Sequence, residues 1–428
     1  MVYRNCISLI FLYGLLFVSC QKPPSKPMRE PNLADIYNPG KTSLHPGYTI
    51  HHVNDSASVI YIRILPAELL FSMANEENIP RARIRIRYEL RHITEILKDG
   101  VLRDSASVYR QINREDVKAY YFTALPFKVY TGNKYLLTVN VYDENRRTRN
   151  QTSLILDKTT RFTAQNYKVI SPATGYPLFN RYFAPGEQFR IVFNQLGYDS
   201  LHVDFFNPDR SMPRPMFSTL PETPVRTQPD TSWSYAHNDS MIYELAFPGT
   251  YIFKVDKMQK DGLTLMNFGE HFPGIRTPDD LLGPLIYLTS SVEFRDLRIQ
   301  LNRKLAVDNF WIGIAGNMEG ARELIRVFYN RVLFANLYFT SYKEGWKTDR
   351  GMIYIVFGAP NMLEFTANTE KWTYLTGKGS NPIEFIFERK ENIFTTDDYQ
   401  YIRDVSSNPY WRSAVQSWKK GKIYSSIN

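Results

Sequence analysis

The sequence predicts a multidomain, mainly β chain: two β-sandwich modules of immunoglobulin-like type, followed by an α+β domain. Three observations carry that prediction. Tyr 29 and Phe 27, within an aromatic content of 14%, favour pleated, half-buried surfaces. Short alternating or apolar runs bounded by turn residues recur from Gly47 to Asp256. Helix-capping signals then cluster beyond Thr277. At 428 residues and 43% hydrophobic content, the chain is long enough to bury two or three cores.

The start of the chain reads as a targeting segment. Arg4 precedes an apolar stretch from Ile7 to Val18, about 12 residues against the roughly 20 of a spanning helix, which reads as a secretory signal over 1–19. Phe17-Val18-Ser19-Cys20 resembles a lipobox, so Cys20 is expected to be the acylated first residue of the exported chain. An ordinary cleaved signal would instead leave Cys20 as an unpaired thiol. Gln21, where an inner-membrane signal would show Asp, favours the outer membrane. The lack of acids from Lys22 to Pro27 favours its periplasmic face, with the cell surface as the alternative. Cys6 and Cys20 are the two cysteines of the sequence, so no disulfide, thiolate metal site or cysteine nucleophile is expected in the exported fold. Residues 20–46, rich in Pro, Lys, Asn and Ser, read as a disordered tether. The formal charge of +9 then points to anionic lipid or an acidic protein partner. Nucleic acid is excluded as a partner by export.

The first module is placed at 47–157. Its clearest signal is Arg81-Ala82-Arg83-Ile84-Arg85-Ile86-Arg87-Tyr88, which on a strand puts Arg81, Arg83, Arg85 and Arg87 on one face and the apolar residues on the other. Two uses fit that stripe: a solvated outer face that also discourages edge pairing, or a binding surface for an anionic partner. The second module is placed at 167–256, with strands at Gln188–Phe193 and Leu201–Phe205, a Pro-Gly turn feeding an alternating strand over Phe247–Asp256, and a long proline-rich loop from Asn207 to Pro229.

The α+β domain begins with Thr277-Pro278-Asp279-Asp280, a helix start, and Ser290-Ser291-Val292-Glu293, which has capping-box spacing. A helix after Asn317 carries Ala321, Leu324, Ile325, Phe328, Val332, Ala335 and Phe339 on one stripe. Beyond it, Gly345-Trp346-Lys347-Thr348-Asp349-Arg350-Gly351 reads as a turn. Its glycines would allow positive φ, Asp349 would accept turn N–H groups, Thr348 would satisfy its hydroxyl locally, and Trp346 would pack back on the helix stripe as a plug. Met352–Phe357, apolar throughout, reads as a central strand. Residues 402–428 read as an aromatic, basic tail.

Tyr329-Asn330-Arg331-Val332, Ala335-Asn336, Phe339, the heptapeptide Gly345–Gly351, Ile353-Tyr354-Ile355 and Phe357-Gly358-Ala359-Pro360 together resemble the GWxTD domain family. The resemblance spans 274–401. It implies an exported protein of diderm bacteria, with lipoprotein leaders and β modules ahead of the domain, and it brings no established enzymatic role to carry over. Two departures stand out: Asn361 where Asp is usual, and Glu391–Tyr399 in place of a glycine-rich hairpin.

Catalytic signals are thin. No catalytic residue, metal ligand set or cofactor site is predicted, because the histidines are scattered and no nucleophile elbow, phosphate loop or dinucleotide fingerprint occurs. The expectation is a non-enzymatic outer-membrane lipoprotein, an accessory or scaffold subunit of an envelope assembly for export, uptake or barrel insertion. Its candidate docking residues are Arg331, Asn336, Gly345, Trp346, Thr348, Asp349, Arg350 and Gly351, with the arginine stripe. Two rivals stand: a hydrolase using Glu344 and Asp349 near Trp346, and a glycan or peptidoglycan binder using exposed Trp233, Trp411 and Trp418.

Overall fold

The computed structural model describes residues 33–40, 44–73, 79–94, 100–195, 197–366, 368–377 and 381–424. The signal segment and Cys20 lie outside the described residues. Among the described residues, no helix is long and apolar enough to cross a membrane. The fold is mainly β, with five antiparallel sheets and six α-helices among the described residues.

Alternation builds the first region. Its strands are β1 (Gly47–Asn54), β2 (Ala57–Ile64), β3 (Arg81–Ile93), β4 (Val101–Asn113), β5 (Tyr121–Lys128), β6 (Asn133–Asp143) and β7 (Thr148–Lys158). One sheet runs β1-β2-β5 and the other β4-β3-β6-β7. Every second residue of β2 and β3 is buried, so Ile60, Ile62 and Ile64 from one sheet meet Ile84, Ile86, Leu137 and Val139 from the other in a single core. The arginines of β3 therefore face outward, as their spacing predicts. They do not guard an edge, because β3 lies between β4 and β6. Strand order is set by non-local pairing, which the alternation of one strand does not contain.

A second β region holds β8 (Tyr167–Ile170), β9 (Arg190–Phe193), β10 (Ser200–Phe206), β11 (Thr231–Ala236), β12 (Gly249–Lys254) and β13 (Leu263–Asn267). Its sheets are β8-β9 and β11-β10-β12-β13, around Phe189, Ile191, Leu201, Val203, Phe253 and Leu265. Gly249 is required where β12 starts: its φ is 151°, and a Cβ there would lie 2.5 Å from the carbonyl oxygen of Phe206.

The remaining elements are α1 (Pro278–Leu282), α2 (Ser291–Arg298), α3 (Arg303–Ala315), α4 (Met318–Phe339), α5 (Asp349–Phe357), β14 (Met362–Phe365), β15 (Thr369–Tyr374), β16 (Ile383–Lys390), β17 (Asp398–Tyr401) and α6 (Asn408–Lys419). Ser290 with Glu293 forms the reciprocal capping box that its spacing predicts, and Thr277, which caps α1 as predicted, forms a second one with Asp280. Strands β14 to β17 form an antiparallel meander that shares one core with the helices. Three stretches outside the predicted domain also enter that core, one of them through Met216 of the proline-rich loop, which is fully buried there. Ala34 and Tyr37, in the stretch read as a tether, are buried on a short 3-10 turn, Leu33–Tyr37. Ala414 and Trp418, in the stretch read as a tail, are fully buried.

One element differs in kind. Met352–Phe357 is not a strand but most of α5, and all nine residues of that helix are buried. A helix enclosed on every side needs no polar face, and a run this short has no period to separate it from a buried strand. The deciding signals were at its ends. Thr348 caps the first turn by accepting the N–H of Gly351, and Gly358, at φ 84°, stops the last.

Candidate functional site

The GWxTD corner is where α4, the 3-10 turn Gly345–Lys347 and α5 meet. Close backbone approach dictates its glycines. A Cβ on Gly345 would lie 2.0 Å from the Ala335 carbonyl oxygen, and one on Gly351 would lie 1.9 Å from that of Gly345. Neither residue has the positive φ expected of it. The glycines are there because a side chain would separate α4, the turn and α5.

Polar side chains then fasten the three pieces together. Asn336 donates from Nδ2 to the Pro273 carbonyl at 3.1 Å and accepts the Trp346 N–H on Oδ1 at 3.1 Å. The Thr340 hydroxyl donates to the Asn336 carbonyl and accepts the Gly345 N–H. Thr348 Oγ1 donates to the Gly345 carbonyl at 2.7 Å and accepts the Gly351 N–H at 3.0 Å, so its hydroxyl is satisfied locally as predicted. Trp346 is half-buried against the core that the α4 stripe helps to build, and its ring also meets the 3-10 segment Gly283–Tyr287. A Cβ on Gly283 would come within 2.9 Å of the indole, and Tyr287 donates its hydroxyl to the Trp346 carbonyl at 2.6 Å. That segment, between α1 and α2, is a partner that helix periodicity in α4 does not reveal.

Three arginines neutralise buried charge or helix-end carbonyls. Asp349 accepts Arg403 on both oxygens, at 2.7 and 3.1 Å, and also the Tyr401 N–H at 2.8 Å; the two side chains are 5% and 7% exposed. The N–H that Asp349 accepts thus belongs to β17 and not to the turn. Burial pushes the Asp349 carboxyl above the usual carboxylate range, with Arg403 pulling against it. Arg350 donates to Glu370 Oε2 at 2.9 Å, while Glu370 Oε1 accepts the Tyr37 hydroxyl at 2.8 Å and the Trp372 indole N–H at 2.6 Å. The Arg350 guanidinium also lies against the rings of Phe339 and Tyr399. Arg331 donates to the carbonyls of Ile355 and Val356, at the end of α5, and to that of Tyr424. A cation there suits both the unpaired carbonyls and the helix dipole. Burial lowers the Arg331 pKa to about 10.

The structure thus gathers Arg331, Asn336, Gly345, Trp346, Thr348, Asp349, Arg350 and Gly351 into one joint. Glu344 takes Lys347 at 2.7 Å, so it and Asp349 each have a separate cation. Asn361, at the position where Asp is usual, accepts the Leu375 N–H on its amide oxygen at 2.8 Å, a bond that either side chain can make. Sequence reasoning missed Arg403, Glu370 and Tyr37; a buried acid signals that it needs a cation but not which one. Among the aromatics proposed as exposed, Trp418 is fully buried and donates to the Val356 carbonyl, while Trp233 and Trp411 are half-buried.

The arginine stripe belongs to a different core. Arg81 bonds Asn113, Arg83 bonds Asn145, Arg87 bonds Glu89, and Arg85 pairs with Glu144 while lying 3.9 Å from the Tyr142 ring centre. Among the described residues, no group of three His, Cys, Asp or Glu side chains is arranged to hold a metal ion.

The joint so defined, two helices locked through glycines and arginines onto a four-stranded meander, marks an α+β domain with a structural signature. Residues 249–420 match the GWxTD domain, so the C-terminal part of the chain is a GWxTD domain. The match begins at the first residue of β12 and ends just past α6. No curated protein matches the chain.

Proposed function

We propose that the chain is a lipid-anchored, periplasm-facing outer-membrane protein that acts as a non-enzymatic accessory or scaffold subunit of an envelope protein assembly for export, uptake or barrel insertion. The observation that carries this reading is the use of the GWxTD side chains. Asn336, Thr348, Asp349, Arg350 and Arg331 all form internal bonds that hold helices against a sheet. A joint of that kind stiffens a scaffold; a reacting centre needs groups directed at a substrate. The outward arginines of β3 add a cationic surface that suits an acidic partner. We also infer that the first region is an immunoglobulin-like sandwich. Seven antiparallel strands in sheets of three and four around one core support that reading.

Tagged full-length protein, extracted from outer membranes in mild detergent, is expected to bring one envelope subunit with it in near-stoichiometric amount. Arg83→Glu with Arg87→Glu is expected to reduce that recovery while leaving the melting curve unchanged. Recovery of the chain alone would sink the scaffold reading and move weight to envelope-glycan binding or hydrolysis. Cys20→Ala is expected to release the protein from membranes, and unchanged fractionation would overturn the anchor.

A further inference from the structure

The proline-rich loop of the second β region lies over the GWxTD corner, and a cavity of about 340 Å3 separates them. Two guanidinium groups line it with donors left over. Arg403 uses Nη1 and Nη2 on Asp349 and also donates from Nη2 to the Arg214 carbonyl, but its Nε is buried without a partner among the described residues. Arg214 donates from Nη2 to the Thr223 hydroxyl at 3.0 Å, and its Nη1 is likewise buried without one. A buried N–H left unmatched is costly, because it has lost water and gained no acceptor. Two of them, on arginines in mutual contact beside one cavity, call for an acceptor.

The cavity already shows what kind of acceptor fits. Glu222, a 46% exposed side chain on the loop, places a carboxylate oxygen on Arg403 Nη1. We propose that this cavity is a binding site for a small monocarboxylate, and that Glu222 holds the ligand's place on Arg403. The planar fork of arginine matches a carboxylate. Asp209, Asp349 and Asp398 line the cavity together with Arg210, Arg226 and Lys343, so the choice of a carboxylate rests on the Glu222 stand-in and not on the charge of the walls. Phe206, Tyr342 and Phe394 form an aromatic wall, with Tyr342 and Phe394 stacked at 5.3 Å, and this wall fits an apolar group next to the carboxylate. The two orphan nitrogens are covered in this conformation, and Met216 of the same loop is fully buried in the C-terminal core, so the ligand enters by displacing the Glu222 side chain from Arg403 and not by lifting the whole loop.

The site is independent of the scaffold reading, and calorimetric titration of the full-length chain tests it. N-acetylphenylalanine is expected to bind and its amide to give no heat. Glu222→Ala removes the internal competitor and is expected to tighten binding of the acid by about tenfold, while Arg214→Ala weakens it by about tenfold. Arg403 is left intact, because Asp349 depends on it. Equal binding of acid and amide would overturn the proposal. So would a Glu222→Ala protein with a wild-type melting curve that fails to bind the acid.

Discussion

On the outer face of β3, Arg83 and Arg87 are exposed and bond only to neighbouring polar groups at the surface. In the GWxTD corner, Arg350 and Arg403 are buried against carboxylates that are themselves almost wholly enclosed. The side chain is the same, but its surroundings reverse its importance. Water screens the first pair, so each contact contributes little. In the corner, removing a cation strands a buried anion with no solvent to replace it. A charge therefore matters to this fold in proportion to what its removal would leave behind.

That contrast predicts a graded series of effects. The largest is expected from Arg350→Ala, which leaves Glu370 buried without its cation and should lower unfolding stability by about 3–5 kcal/mol. A urea midpoint close to wild type would break the comparison. Next is Gly351→Ala, which places a methyl group 1.9 Å from a backbone oxygen and is expected to cost about 3 kcal/mol. A crystal structure of that variant with α4, the turn and α5 unmoved would contradict the close-approach account.

Buried bases without a counter-charge sharpen the comparison further. Burial lowers His51 and His52, adjacent on β1, to a pKa of about 4, against an ordinary imidazole value near 6.5. Between about 6.5 and 4 the unfolded chain binds protons that the folded chain refuses, so their contribution to stability is present above pH 6.5 and lost as pH falls towards 4. On the order of 2 kcal/mol for each histidine should be lost between pH 7 and pH 5. The fall in the urea midpoint over that range should flatten in a His51→Asn, His52→Asn double variant; an equally steep fall there would assign the pH dependence to other groups. The smallest effect belongs to the surface. Arg83→Glu and Arg87→Glu should each stay within about 0.5 kcal/mol of wild type, and a larger loss would mean that the outer face contributes to folding.

The legible parts of this fold are those in which cause and consequence are close along the chain. The two-residue period of Arg81–Tyr88 gave the outward and inward faces of β3, and the stripe from Ala321 to Phe339 gave α4. The capping boxes at Thr277 and Ser290 were equally local. The GWxTD residues stood out as a group, but their roles did not: the glycines proved to be points of contact, and Trp346 found its partner in a different segment.

The sequence by itself determined the helix starts at Thr277, Ser290 and Asn317, the apolar faces of β3 and α4, and that the C-terminal part carries a GWxTD domain. The tertiary structure alone decided that Met352–Phe357 is a helix, that β3 is an inner strand, that Tyr37 and Trp418 join the C-terminal core, and that Arg403 answers Asp349. The physical reason is range. Backbone periodicity and capping act over a few residues and are written in order along the chain. A buried charge must be matched by whichever group the fold brings within hydrogen-bond distance, and for Asp349 that group lies 54 residues away.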